Sequence, residues 1–118
     1  ELIYGNTALN FSEDNIIANT MKFISENYKN PLSVEDMARQ ASMSKFHFSR
    51  QFKRQTGYSP YEYLTKCRID KAKHLLKKTS SPIKDIAFQV GFESESNFIA
   101  SFHSKTGMSP NKFRKLPF

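Results

Sequence analysis

An internal duplication constrains this chain more than any other feature. Asp36-Met37-Ala38 returns as Asp85-Ile86-Ala87 and Gln40 as Gln89, at an offset of 49 residues. Phe48 and Phe52 return as Phe98 and Phe102, and Thr56-Gly57-Tyr58-Ser59-Pro60 as Thr106-Gly107-Met108-Ser109-Pro110, at an offset of 50. Ordered matches of this kind mark a repeated structural unit. The offset changes once, between two helical runs, where a turn can accept one more residue.

Each copy reads as helix, tight turn, helix. In the first, Ser33 is placed to cap a helix over 34–41, with Glu35 and Asp36 favouring its positive end. Val34, Met37, Ala38 and Ala41 fall on one face. Ser42 and Met43 make the turn, and Ser44 caps a second helix to about Gln55, whose Phe48 and Phe52 turn inward. Gly57 supplies a left-handed stop. In the second copy Ser81 is expected to cap, with Pro82 at the first helical position and Ile83, Ile86, Ala87 and Val90 as the buried stripe. Gly91 and Phe92 turn, Ser94 caps, Phe98 and Phe102 point inward, and Gly107 ends the helix.

The expected fold is therefore all-α, about seven helices, with two helix-turn-helix subdomains joined by a long linker helix. Residues 1–12 read as linker or a disordered start, 13–58 as the first subdomain, 59–78 as the linker helix and 79–118 as the second subdomain. Asn15 to Tyr28 forms a supporting helix, with Ile16, Ile17, Thr20, Phe23, Ile24 and Tyr28 on its apolar stripe. Ser59 and Pro60 open the linker helix, along which Tyr61, Leu64, Arg68, Ala72, Leu75 and Leu76 recur at helical spacing and can bridge both lobes. Nineteen residues at ~1.5 Å each reach roughly 28 Å, against ~34 Å between successive major-groove faces of B-DNA. Pro110 opens a short closing helix. The 11 phenylalanines among 118 residues suffice for a core without staples.

Charge is unevenly spread. The formal total is +7, of which residues 1–43 contribute −3, residues 44–78 +8 and residues 79–118 +2. A basic middle suggests a face for a polyanion, and a solvated helix face is the alternative. The single cysteine, Cys67, excludes an internal disulfide, suits a reducing cytosol and reads as a small buried residue. No run approaches a membrane span and no signal peptide opens the chain, so no membrane partner is expected. The first residue is Glu1, which points to a fragment of something longer.

His47, His74 and His103 lack the spacing and cysteine partners of a zinc site, so no metal is assigned. No phosphate loop, nucleophile elbow or catalytic carboxylate pair appears, and neither an enzyme activity nor a cofactor is expected. A non-specific nucleic-acid or protein interaction module is the competing reading.

The residues resemble the AraC/XylS family of bacterial transcription regulators. The second copy carries most of the likeness: Ile83, Asp85-Ile86-Ala87, Val90-Gly91-Phe92, Ser94, Phe98, Phe102, Gly107, Ser109-Pro110 and Phe113-Arg114. The first adds Leu32, Ala38, Met43-Ser44, Phe48, Arg50, Phe52-Lys53, Gly57 and Pro60, and Arg68, Ala72 and Leu75-Leu76 look like the family's linker helix. The resemblance implies a monomer that sets two helix-turn-helix units in adjacent major grooves of double-stranded DNA. It usually implies an activator that engages RNA polymerase. It further implies a separate ligand-sensing, receiver or dimerisation domain, absent from these residues.

Because Phe48 and Phe52 face inward, the outward stripe of the first recognition helix is Phe46, Ser49, Arg50 and Lys53. Arg50 is the leading base reader, since a guanidinium can donate two parallel hydrogen bonds to guanine O6 and N7; a surface salt bridge is its bland alternative. Phe46 either meets a thymine methyl or packs into the hairpin, and Ser49 offers a short polar contact. Ser44, Lys45, His47, Lys53 and Arg54 are candidates for the DNA backbone. Shifting by 50 gives Ser96, Ile99, Ala100 and His103, with Asn97 beside them. Ser96, Asn97 and Ala100 are candidate base contacts, and Glu95, His103, Lys105, Lys112 and Arg114 candidate backbone contacts. This second helix departs from the family pattern, which often has basic residues at positions 100 and 103–104. The first unit is therefore expected to supply most base discrimination and the second to bind less specifically.

Overall fold

The computed structural model describes residues 13–118, and among them it holds seven helices and no strand. We number these α1 (Glu13–Asn27), α2 (Val34–Gln40), α3 (Lys45–Thr56), α4 (Pro60–Lys78), α5 (Ile83–Gln89), α6 (Glu95–Thr106) and α7 (Pro110–Lys115). The expected all-α class and both helix-turn-helix units are present. Residues 1–12, read from sequence as linker, lie outside the described residues. No helix among the described residues is long and apolar enough to cross a membrane.

The described chain divides into two units. One holds residues 13–27 and Leu32–Tyr63, the other Tyr28–Pro31 and Leu64–Phe118. The long helix α4 is thus shared, its first four residues counting with the first unit. In the first unit α1, α2 and α3 pack on one another. Ile17, Thr20 and Ile24 of α1, Met37 and Ala38 of α2, Ala41 and the rings of Phe48 and Phe52 of α3 are all buried. Tyr63 closes on Phe52 edge to face, with ring centres 5.7 Å apart. In the second unit Ile69, Ala72, Leu76, Ile86, Ala87, Val90, Phe92, Phe98 and Phe102 form one buried cluster. Its aromatic spine runs Phe92–Phe98–Phe102–Phe113, with centroid separations of 5.3, 5.7 and 5.4 Å.

Both helix-turn-helix units turn by the same device. Ser42 N–H donates to Arg39 O and Met43 N–H to Ala38 O, and in the copy Gly91 N–H donates to Phe88 O and Phe92 N–H to Ala87 O. This doubled pattern satisfies the last carbonyls of each helix and puts one residue in the left-handed region. That residue is Ser42 at φ 56° and Gly91 at φ 105°. Glu93 is the additional residue of the second turn and accounts for the change of offset. Ser33, Ser44 and Ser94 cap as their positions suggest, each hydroxyl accepting a backbone N–H three residues on.

Four expectations need correction. Ser81 does not cap α5: Pro82, extended at φ −58° and ψ 147°, takes the N-cap position without a side-chain hydrogen bond. Ser81 N–H instead donates to Thr79 Oγ1, in the segment following α4. Tyr28 shares the helical spacing of the supporting helix in the sequence, yet α1 ends at Asn27 and Tyr28 packs on the core of the second unit. Tyr61 is exposed, because Tyr63 is the ring that meets Phe52, and Cys67 is only half-buried.

Candidate nucleic-acid interface

α3 is a 12-residue helix with no acidic side chain. Burying Phe48 and Phe52 fixes its rotation, which turns positions 46, 50, 53 and 54 outward. Phe46 is 72% exposed, and for so large an apolar group that decides against packing into the hairpin. Arg50 Cζ lies 5.0 Å from the centre of the Phe46 ring. One helical turn separates the two, so the cation rests over the ring face on the exposed side of the helix. Ser49 is half-buried beside them.

The remaining cations of this unit are anchored to differing degrees. Lys45 Nζ lies 2.9 Å from Glu35 Oε2 on α2, and that hydrogen bond holds the Glu35 carboxyl below its ordinary range. Lys53 Nζ donates to Gly57 O at 3.0 Å and lies 3.8 Å from Glu62. Arg54 donates through Nε and Nη2 to Gln51 Oε1 at 3.0 and 2.6 Å. Ser44 Oγ accepts the His47 N–H at 3.2 Å, and the His47 ring is half-buried. The sequence marks Glu35 as a helix-start residue; its pairing with Lys45 crosses the turn and leaves no local signal.

α6 presents a different surface from the same architecture. Ser96, Asn97, Ala100 and His103 are exposed, and Ile99, outside the candidate set, is 38% exposed. Glu95 is half-buried in the first turn, and Lys105 is exposed in the last. Lys112 projects from α7 and is exposed. Arg114 is already occupied: Nε donates to Leu76 O at 3.1 Å and Nη2 to Thr79 O at 3.3 Å. Lys77 returns the favour, donating to Leu116 O at 2.7 Å beneath the Phe113 ring. Each of α4 and α7 therefore has its carbonyl end capped by a basic side chain of the other.

A buried arginine, noted from sequence only as part of the linker pattern, organises the second unit. Arg68 is 6% exposed, donates through Nε to Tyr28 O at 2.8 Å and through Nη2 to Asn30 O at 2.9 Å, and lies 5.8 Å from the Phe92 ring centre.

Comparison with known proteins agrees with this layout. A family model described as a helix-turn-helix domain matches residues 37–116. The lactose operon transcription activator of Staphylococcus xylosus is 36% identical over 98 residues, covering 83% of this chain and 35% of that protein. The chain spans about a third of the length of most curated relatives it matches. Among solved structures, the C-terminal domain of AraT, a response regulator from Geobacillus stearothermophilus, superposes with a TM-score of 0.81 at 33% identity, over 85% of this chain and 84% of that one. The DNA-binding domain of AdpA, solved in complex with a target DNA, gives 0.79 at 28% identity, over 83% and 88%. Duplicated helix-turn-helix units, their shared caps and these likenesses together make the chain a member of the AraC/XylS family of transcription regulators.

Proposed function

We propose that the chain binds double-stranded DNA sequence-specifically to regulate transcription, with α3 and α6 as recognition helices in adjacent major grooves. The outward face of α3 carries the reading: Phe46, Arg50, Lys53 and Arg54 are exposed on a helix without a carboxylate. A major groove admits one α-helix, and the Arg50 fork matches guanine O6 and N7. Lys45, Lys53 and Arg54, with Ser44 and His47, hold phosphates that set register, as do His103, Lys105 and Lys112 in the second unit, whereas the Arg114 donors are committed to the Leu76 and Thr79 carbonyls and the Glu95 carboxylate repels phosphate. Ser49, Ser96, Asn97 and Ala100 complete the base-facing set. The resemblance to AdpA, solved on a target DNA, supports this reading. Activation is the favoured outcome, in keeping with a relative named as an activator. Contact with RNA polymerase and a separate sensing or dimerisation domain belong to the same proposal.

The test is selection of bound duplexes from a random pool, repeated with Arg50→Ala at several salt concentrations. The expected result is a bipartite site with halves about one turn apart, and a loss of ~1–3 kcal/mol confined to one half for Arg50→Ala. No enriched sequence, with an even loss of affinity, would make the basic face a general anion grip and overturn the proposal.

A further inference from the structure

We infer that α6 reads thymine methyl groups, through Ile99 and Ala100, and that the half-site under the second unit is accordingly rich in A·T pairs. This rests on the DNA reading proposed above. The duplicated helices share one rotation, since Phe98 and Phe102 are as fully buried as Phe48 and Phe52. Their outward faces can therefore be compared position by position. Where α3 sets Phe46, Ser49, Arg50, Lys53 and Arg54, α6 sets Ser96, Ile99, Ala100, His103 and Ser104. Between Ser94 and Ser104 no lysine or arginine remains. The bidentate donor for guanine is gone, and so are the cations nearest to it.

What replaces them is apolar. Ile99 is 38% exposed on a helix whose inward face is already filled by phenylalanine rings. An open β-branched side chain beside an exposed Ala100 makes a short apolar step, and Ala100 lets the helix come close to whatever it faces. The only apolar group that the base edges display in the major groove is the C5-methyl of thymine. Asn97, exposed on the other flank of Ala100, carries the amide that pairs with adenine N6 and N7. An apolar step beside a carboxamide is complementary to A·T pairs and lacks the cation that reads guanine O6 and N7. Burial of one methyl is worth about a fourfold change in affinity, against the larger discrimination of a bidentate arginine. The second half-site thus contributes gentler preferences than the first.

The experiment uses the selected duplex and the chain as it stands. Arg50→Ala first identifies the half read by α3. In the other half each thymine is then replaced singly by deoxyuracil, which removes only the methyl group. The expected result is a loss of about fourfold at one or two positions, and Ile99→Ala should abolish the loss at one of them while thermal melting reports a folded chain. The deoxyuracil scan on the unaltered chain needs no variant, so a poorly folded Ile99→Ala leaves it decisive. A selected site whose second half prefers G·C pairs, or tolerates every deoxyuracil, overturns the inference and leaves DNA reading by α3 intact. No selected site at all overturns both.

Discussion

The guanidinium of Arg50 lies over the ring of Phe46, 5.0 Å from its centre, on the exposed face of α3. The ring limits the rotamers open to a long side chain that would otherwise lose that freedom on binding. Phe46 thereby restrains Arg50 while its own ring stays largely exposed. The expected outcome is non-additivity. Phe46→Ala and Arg50→Ala each weaken binding to the selected duplex, and a double-mutant cycle should give a coupling of about 0.5–1 kcal/mol. Arg50→Lys, which keeps the charge but loses the fork, should reduce base discrimination more than overall affinity. Strict additivity by titration would show that the stack does not carry into the complex.

Glu35 is the counter-charge of Lys45, with Oε2 and Nζ 2.9 Å apart and both side chains largely exposed. An exposed pair of this kind does little for stability and much for the local potential. Glu35→Gln frees one ammonium for a phosphate. The slope of log affinity against log salt should steepen by ~0.9, with tighter binding at low salt and little change in the melting temperature. An unchanged slope would place Lys45 away from the DNA backbone.

The parts of this molecule legible in its sequence are those written in local spacing. Phe48 and Phe52 four residues apart announced an inward face, and the structure buries both, as it does Phe98 and Phe102. Serines three residues ahead of the N–H groups they accept were equally plain. The contacts that escaped are distant ones. Arg68 reaches carbonyls 40 and 38 residues away, at Tyr28 and Asn30, and no periodicity can signal an arginine that bonds to backbone. Arg114 had every mark of a phosphate ligand, yet its donors point at Leu76 and Thr79 carbonyls 38 and 35 residues back. Ser81 failed for a subtler reason: a proline one residue later fixed its own φ and took the cap position itself.

The capping box at the start of α2 makes the first unit sensitive to acid. Ser33 N–H donates to Asp36 Oδ2 and Asp36 N–H to Ser33 Oγ, both at 3.0 Å. The backbone hydrogen bond from Ser33 holds the Asp36 carboxyl below its ordinary range. A carboxyl depressed in the folded state contributes stability that is complete above its unfolded pKa and fades as pH falls through the folded one. Urea midpoints should therefore hold from pH 7 down to about pH 4 and decline below it. Ser33→Ala should lower the midpoint at pH 7, and its effect should shrink as the pH falls through the folded-state pKa of Asp36 and that side of the box is lost. An effect that stays equal down to full protonation would assign the acid sensitivity elsewhere.

Gly91 is fixed by its neighbours as well as by its backbone. At φ 105° it sits where a Cβ would come within 2.6 Å of Tyr28 O and 2.9 Å of Arg68 Nε. The first of these is the carbonyl that Arg68 binds, so neither atom can yield without breaking the other's hydrogen bond. Gly107, at φ 82°, has the same handedness but open space around it. Gly107→Ala should therefore show only the conformational penalty, about 1–2 kcal/mol. Gly91→Ala adds the loss of a buried charged hydrogen bond and should cost about 3 kcal/mol or more, read as a shift in the urea midpoint at constant slope. Arg68→Met leaves the part-buried Tyr28 and Asn30 carbonyls without those donors and should itself lower the urea midpoint. It also relieves the contact to Nε but not the one to Tyr28 O. Gly91→Ala should accordingly cost less in an Arg68→Met background than in the native chain, and equal costs in both would mean that the Tyr28 carbonyl alone excludes the side chain.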